Sequence, residues 1–265
     1  MTRVPTTVNP AERWRWPAVL GARMQTFECV VSKEMHTAHL GADERRALSQ
    51  LAPLGSAGAD AWHRRYSRAL IGRHPALAAR LPVMQTDVAR VALLNQRELA
   101  ALATLCGVAI LWPGIKGAIA RDDVNRLRAF LGETTYHWAI RHAPACHTGW
   151  LGSQGWTATQ IVSACERLGW STVRAAISDM PAVEAPFGAD ADAAIHSNAY
   201  AAANATSTPN AVIARFLLKL PPSEAMTLAH VEGTALPSSK QALNLCQSLL
   251  SFLAYPWLSS FNACR

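Results

Sequence analysis

The densest group of side chains that could carry chemistry lies in the stretch HWAIRHAPACH, which holds His137, His142, Cys146 and His147. Imidazole nitrogens and thiolates are ligands that Zn²⁺ accepts. However, His137 and His142 are five residues apart and would point to different faces of a helix, and Pro144 interrupts any helix that carries His142. We therefore expect exposed or helix-terminal histidines here and no metal site.

Motifs that signal catalysis are missing from the sequence. Asp122 and Asp123 form a pair of carboxylates, but aspartates in this setting are typical of a helix N-terminus, where they satisfy free backbone amides and the helix dipole. The chain has no GxSxG, SxxK or HExxH, and GSAGAD at 55–60 lacks the GK[ST] of a phosphate-binding loop. We expect no enzyme activity and no cofactor.

The elements that would position any site are helical. The stretch at 60–72 predicts a helix capped by Asp60, on which Trp62, Tyr66 and Leu70 recur every four residues, and we expect Trp62 and Tyr66 in the core. No sustained alternation of apolar and polar residues supports a strand. Further helices are expected near 18–35, 43–52, 86–93, 123–131, 134–142, 171–178, 210–219, 223–231 and 239–254.

Two helix starts carry reciprocal capping pairs. Asn95 and Glu98 stand three residues apart before an apolar stripe, and Thr157 and Gln160 repeat this spacing. Gly169 suits a left-handed residue that ends the second of these helices. The sequence therefore predicts an all-α fold, a compact multi-helix domain with short loops and additional C-terminal helices.

Composition divides the chain into four parts. Residues 1–17 are rich in Pro and Thr and are expected to be flexible, and 18–183 form the helical body. Residues 184–208 have few large apolar side chains and many Ala, Asn, Ser and Thr, which is typical of a linker or loop. Residues 209–265 then form a C-terminal helical segment.

An uncharged run of seventeen residues, Leu99 to Ile115, could be a membrane anchor or a buried helix. Spanning a bilayer needs about 20 apolar residues, and this run is shorter and contains Pro113 and Gly114. We interpret it as a buried central helix that ends at Trp112-Pro113-Gly114, with the next helix starting at Asp122. The C-terminal run at 242–258 is interrupted by polar residues and is not expected to span either.

The charge of the chain is uneven. Residues 1–100 hold fourteen Arg and Lys against eight Asp and Glu, which accounts for +6 of the formal net charge of +7. Such a basic half could meet an acidic protein surface, nucleic acid or anionic lipid. Only 16% of residues are charged, and nine Trp against four Tyr favour surfaces that a partner covers.

The six cysteines predict a reducing compartment. No two of them form CxxC, and Cys106 and Cys165 fall on apolar helical stripes, where a thiol serves as a small hydrophobic group. The first 17 residues have no apolar core of a secretory signal. We expect a cytoplasmic protein.

The middle of the chain carries an ordered pattern: Asp87–Arg90, Leu93-Leu94, a Leu/Ala-rich helix to Gly107, Ile115 and Ile119, Arg121-Asp122-Asp123, then VNRLRAFLGE with Leu127, Leu131 and Gly132. The segment SRALIGRHPALAARLP at 67–82 precedes it. This order resembles the SctK (YscK-type) accessory proteins of bacterial type III secretion systems, in particular the branch from the Hrp systems of plant-associated bacteria. The resemblance covers roughly residues 60–180 and, more loosely, 210–220; the tail from about 233 has no counterpart.

The resemblance implies a soluble helical adaptor in the cytosolic sorting platform, without catalysis or cofactor. Such an adaptor bridges the cytosolic domain of the inner-membrane ring protein to the cytoplasmic pod or C-ring protein. Through the pod it is linked to the ATPase and its regulator, and it is attached to the inner membrane only peripherally. The candidate partner-binding residues are basic or aromatic: Arg64, Arg65, Arg68, Trp150, Trp156 and Trp170.

We expect the three arginines to meet an acidic surface of the ring protein, and the Gly-Trp region at 149–170 either to pack against the body or to meet the pod. A helical nucleic-acid-binding or regulatory protein is the alternative, because the sequence pI is about 9.4 and short helices at 43–72 imitate a helix-turn-helix. Against this alternative, the stretch PLGSAGAD between those helices is longer than the usual turn.

Overall fold

The computed structural model describes residues 18–51, 53, 55–78, 86–146, 155–178, 211–222 and 237–261. The segments at 1–17 and 184–208 and the helix expected at 223–231 lie outside them. Of the described residues, 85% are helical and none is in a strand, which confirms the all-α fold class.

The first six helices are α1 (Ala18–Cys29), α2 (Ala42–Leu51), α3 (Gly55–Arg73), α4 (Pro75–Ala78), α5 (Thr86–Ala92) and α6 (Gln96–Gly117). The other six are α7 (Arg121–Leu131), α8 (Glu133–Arg141), α9 (Ala143–Cys146), α10 (Ala158–Ser178), α11 (Ala211–Leu217) and α12 (Ser239–Leu253).

Both predicted capping pairs are present. The backbone N–H of Glu98 donates to Asn95 Oδ1 at 2.9 Å and the N–H of Asn95 donates to Glu98 Oε2 at 2.8 Å, which fixes the start of α6. At the start of α10 the N–H of Thr157 donates to Gln160 Oε1 at 2.9 Å, and the N–H of Gln160 donates to Thr157 Oγ1 at 3.3 Å. These short-range bonds satisfy amides that a helix N-terminus leaves free.

At least three predicted helix boundaries are wrong by three residues or more. Helix α6 continues through Pro113 to Gly117, α10 continues through Gly169 to Ser178, and α3 begins at Gly55, five residues before Asp60. Gly169 is buried in α10 and Pro113 is half-buried among buried residues of α6, so packing with distant residues decides the backbone at both positions. Asp60 does not cap α3; its carboxylate instead accepts a hydrogen bond from Lys33 Nζ at 2.9 Å.

Helices α6 and α10 pack against each other along a row of small residues, which we call the glycine seam: Ala103, Gly107 and Gly114 of α6, and Cys165 and Gly169 of α10. A Cβ at Gly169 would overlap the carbonyl oxygen of Ala103, and a Cβ at Gly107 would overlap the carbonyl oxygen of Cys165. The two helices therefore touch backbone to backbone at two points. Only glycine permits this approach.

Helices α8, α9 and α12 cover the rest of α6, and together they share one hydrophobic core. By length and composition alone α6 could cross a membrane, but 72% of its most apolar 18-residue window is buried inside the protein. Its Cys106 lies with Sγ 3.9 Å from Cys246 Sγ of α12. The described helices of the C-terminal segment thus belong to the same core as the body.

Glu98 joins three distant parts of the chain. Besides its capping bond, its carboxylate accepts hydrogen bonds from Arg23 Nη1 at 2.6 Å, from Arg23 Nη2 at 2.8 Å and from Trp257 Nε1 at 3.1 Å. The Arg23 guanidinium also lies over the Trp257 ring, 4.1 Å from its centroid. One largely buried carboxylate therefore connects α1 and the C-terminal turn at Pro256–Phe261 to the start of α6.

Lys219, just after α11, makes a second buried connection. Its Nζ donates to the carbonyl oxygens of Ala92 at 2.8 Å and Leu94 at 2.9 Å, at the end of α5, and pairs with the Glu34 carboxylate. Burial lowers the pKa of this ammonium group, while the Glu34 carboxylate opposes that shift. The three acceptors replace the water that the ammonium group loses on burial.

Replacing Gly169 by Ala should lower the free energy of unfolding by at least about 2 kcal/mol, because the new methyl group meets the Ala103 carbonyl oxygen and neither backbone can move alone. Gly72→Ala in α3 is the matched control, since nothing lies within 4 Å of its added Cβ. That control should be neutral or stabilise by up to about 1 kcal/mol. Urea denaturation measures both, and equal effects would contradict the glycine seam.

Glu98→Gln should lower the free energy of unfolding by about 2 to 3 kcal/mol, because it leaves the Arg23 charge without its counter-ion in a mostly buried position. The control is Arg46→Gln, which removes a pair with Asp43 whose side chains are 70% and 92% exposed. That change should stay within about 0.5 kcal/mol. A loss of similar size in both variants would show that Glu98 does not hold the three segments together.

Candidate interaction surface on α2 and α3

Helix α3 is attached to the rest of the protein along one inner face. The backbone N–H of Ser32 donates to Ser67 Oγ at 3.0 Å, and Ser67 is fully buried. Ser32 Oγ donates to the carbonyl oxygen of His63 at 3.0 Å, and the Lys33–Asp60 ion pair lies beside it. This inner face fixes the orientation of the other two faces of the helix.

The three arginines predicted to bind a partner lie on the solvent face of α3. Arg64, Arg65 and Arg68 are all exposed, and we call them the arginine face. Within the described part of the chain, none of them is within salt-bridge distance of a carboxylate. The guanidinium groups are therefore free to meet an acidic surface.

The third face of α3 lines a pocket of about 280 Å³ against α2. The prediction that Trp62 and Tyr66 belong to the core is wrong: both are half-buried, and their rings stack at 4.9 Å with an interplanar angle of 8°. The reason is that α2 has no buried residue and covers this face only in part. The lining residues are Asp43, Glu44, Ala47, Trp62, Tyr66, Ala69, Leu70 and Arg73.

The predicted tryptophans differ in their positions. Trp170 of α10 is 6% exposed and lies in the hydrophobic core, so it packs against the body and does not face a partner. Trp156 is half-buried against the core, and its Cβ lies beside Gly114 of α6. Trp150 lies outside the described residues. Of the six candidate residues, only the three arginines are fully open to a partner in the described structure.

The histidine-rich stretch does not converge on one point. His137 Nε2 pairs with Glu133 Oε1 at 2.8 Å within α8, whereas the ring of His142 packs on Phe252 of α12, 4.8 Å between centroids. Cys146 is half-buried, and His147 lies outside the described residues. Across the residues described, no group of three or more His, Cys, Asp or Glu could hold a metal ion.

Asp122 and Asp123 lie in the first turn of α7, whose N-cap is Ala120 and has no side-chain capping bond. The prediction that Asp122 starts the helix is therefore wrong by one residue, although both carboxylates still face the positive end of the helix dipole.

The thiols that the structure describes are all free, and three of them are buried: Cys106, Cys165 and Cys246. Burial raises the pKa of Cys165 to about 12 and raises that of Cys106 well above its ordinary value. A thiol rather than a thiolate therefore lies at both positions, and a thiol is a poor nucleophile. This confirms that Cys106 and Cys165 serve as small hydrophobic groups.

Comparisons of the chain with protein-family models, with curated proteins and with solved structures found no match.

Acid should loosen the attachment of α3. Burial, followed by the nearby Lys33 charge, lowers the pKa of His63 below its ordinary value of 6.5, although Asp60 opposes this. The folded state therefore binds a proton less readily than the unfolded state, so stability falls as pH drops below about 6.5. Urea denaturation at pH 7.5 and 5.5 should show a smaller loss for His63→Asn than for the wild type. Identical losses would exclude His63 as a cause.

Proposed function

We propose that this protein is a non-catalytic adaptor of the cytosolic sorting platform of a bacterial type III secretion system. In this role it bridges the cytosolic domain of the inner-membrane ring protein to the cytoplasmic pod or C-ring protein, and through the pod it is linked to the ATPase and its regulator. It acts in the cytoplasm, at the inner membrane only through the secretion apparatus.

Part of the pattern that resembles the SctK family lies in the core. Leu94, Leu127 and Ile115 are each at most 1% exposed, and Gly107 lies in the glycine seam. Because these residues are buried, the pattern they form relates to the helical body and not to a contact surface. The proposed contact with the ring protein needs support from exposed residues.

The observation that carries the proposal is the arginine face. Three exposed guanidinium groups lie within five residues on one side of a 19-residue helix whose inner side is held by hydrogen bonds. Arginine forms two-pronged hydrogen bonds with carboxylates, so a row of this kind suits an acidic protein surface. Because α3 is already anchored, binding would require little ordering of the backbone.

Reversing the arginine face should weaken binding to the cytosolic domain of the ring protein. We expect Arg64→Glu, Arg65→Glu and Arg68→Glu together to reduce the affinity by about ten- to a hundredfold at low salt. The difference from the wild type should shrink as salt is added, because exposed charges are screened. Pull-down with the purified domain at 50 and 500 mM NaCl measures this.

The matched control reverses three exposed charges elsewhere, Arg121→Glu, Arg141→Glu and Lys240→Glu, on α7, α8 and α12. It changes the net charge by the same amount and should bind nearly as the wild type does. An equal loss in both triple variants would mean that net charge alone drives association. Unchanged binding of the α3 variant would exclude the arginine face as the contact.

A helical nucleic-acid-binding protein is the second candidate, and one observation favours it. Helix α2 ends at Leu51 and α3 begins at Gly55, so the connection has three residues, and the prediction that PLGSAGAD is too long for a helix-turn-helix is wrong. Three to four residues is the usual length of that turn. The arginine face would then contact phosphates.

The two candidates differ in what the protein retains from the native bacterium. Affinity isolation of the full chain should recover ring and pod proteins if it is an adaptor, and nucleic acid if it is a nucleic-acid-binding protein. A gel shift with duplex DNA, repeated over a range of salt concentrations, gives the second measurement. A complex that weakens steeply with salt would favour the second candidate over the first.

A further inference from the structure

The pocket between α2 and α3 lies on the opposite side of α3 from Arg64 and Arg68 of the arginine face. On a helix with 100° between successive residues, Trp62, Tyr66 and Arg73 share one side and Arg64 and Arg68 project from the other. Arg65 lies on the flank between these two sides. The pocket is therefore a second surface, and its chemistry differs from that of the arginine face.

Aromatic and aliphatic side chains form the walls of the pocket. The stacked rings of Trp62 and Tyr66 lie along α3, and Ala47, Ala69 and Leu70 complete the apolar lining. The volume of about 280 Å³ fits a single long side chain rather than a bulky cofactor. Because the two rings are parallel, each covers one face of the other, and only the outer faces, which carry the negative part of the aromatic quadrupole, are left for a further contact.

The charged residues of the pocket come from both helices. Asp43 and Glu44 lie in the first turn of α2, and Arg73 lies in the last turn of α3. Burial and the Glu44 carboxylate raise the pKa of Tyr66, while Arg73 opposes them, which places both charges near the phenol. Glu44 has no salt-bridge partner among the described residues, and Asp43 only a long, exposed contact with Arg46 at 3.7 Å.

We propose that this pocket binds an arginine side chain presented by a segment of another protein. The guanidinium would stack on an outer face of the Trp62–Tyr66 pair and meet the Asp43 and Glu44 carboxylates. Its methylene stem would lie on Ala47 and Leu70.

The lining favours arginine over other occupants. An anion would face two carboxylates against one guanidinium, and a purely apolar group would leave the half-buried Glu44 carboxylate without a partner as it loses water. Arginine combines a planar cation, which stacks on Trp better than on other rings, with an apolar stem. The two carboxylates of the pocket are also opposite in sign to residues 1–100 as a whole, whose net charge is +6. The pocket would therefore attract a cationic side chain that the rest of this half of the chain repels.

This inference goes beyond the proposed adaptor function, because it names a second contact on the far side of α3. It holds for any partner that presents an arginine, whichever protein binds the arginine face. Its test therefore uses a short peptide and no component of the secretion system, so that the two proposals can fail separately.

The experiment titrates the full ¹⁵N-labelled chain with the peptide acetyl-Leu-Arg-Ala-Leu-amide and follows the indole N–H signals by NMR. The signal lost in Trp62→Phe identifies Trp62. We expect a saturable shift of that signal, and about tenfold weaker binding by the same peptide with citrulline, which keeps the shape of arginine and removes its charge.

Two variants and one control locate the site. Glu44→Gln keeps the shape of the pocket and should weaken binding about three- to tenfold, and Trp62→Ala should abolish it. Arg64→Gln, on the arginine face, should leave it unchanged. If Trp62→Ala fails to fold, the affinity of Glu44→Gln for the peptide still tests whether the pocket is the binding site.

Three results would overturn the proposal. They are equal binding of the citrulline peptide, no saturable shift of Trp62 up to 10 mM peptide, and undiminished binding by Glu44→Gln. Sedimentation would also show whether the protein self-associates. If it does, and if the self-association disappears both in Trp62→Ala and in the triple variant Arg64→Gln/Arg65→Gln/Arg68→Gln, then a second copy of this chain fills the pocket. That result would overturn the assignment to a different protein.

Discussion

The backbone contact between α6 and α10 at Gly107 and Gly169 is the constraint on which the rest of the structure depends. Because no side chain lies between the two helices at these points, their backbones are in direct contact. Helix α12 packs against both of them, and α7 and α8 complete the cover. The Glu98 carboxylate then attaches α1 and the turn at Pro256–Phe261 to the start of α6. Packing at the glycine seam and hydrogen bonding at Glu98 thus join residues from both ends of the described chain into one core.

Helices α2 and α3 stand apart from this core in their chemistry. Helix α2 buries no residue, and α3 buries only Ser67, whose hydroxyl accepts a hydrogen bond from the backbone of Ser32. Their attachment relies on polar bonds, which contribute less per contact than the burial of large apolar groups. The same helices carry the arginine face and the aromatic pocket. A stable core with a separate, weakly buried pair of helices suits a protein that binds others, since the contact residues can serve a partner without destabilising the fold.

The sequence predicted what depends on neighbours along the chain and missed what depends on distant ones. The capping pairs at Asn95 and Thr157 were readable because donor and acceptor lie three residues apart. Pro113 and Gly169 were misread as helix ends, since a local cost of about 1 to 3 kcal/mol was outweighed by burial that only the packed helices reveal. The spacing of Trp62 and Tyr66 predicts an apolar face on α3. It does not reveal that α2 covers this face only in part, so nothing in the local sequence indicates the pocket. Glu98 was recognised as a cap, but its partners Arg23 and Trp257 lie 75 and 159 residues away.

Hydrogen exchange, measured by mass spectrometry with and without the cytosolic domain of the ring protein, tests most directly the account of a rigid core with a contact surface on α3. Alone, the protein should exchange the amides of α6 and α10 only through global unfolding, while those of α2 and α3 exchange through smaller openings. Adding the ring-protein domain should slow exchange in α3 and leave α6 and α10 unchanged. Fast exchange in α6, or protection that falls on helices other than α2 and α3, would contradict the account.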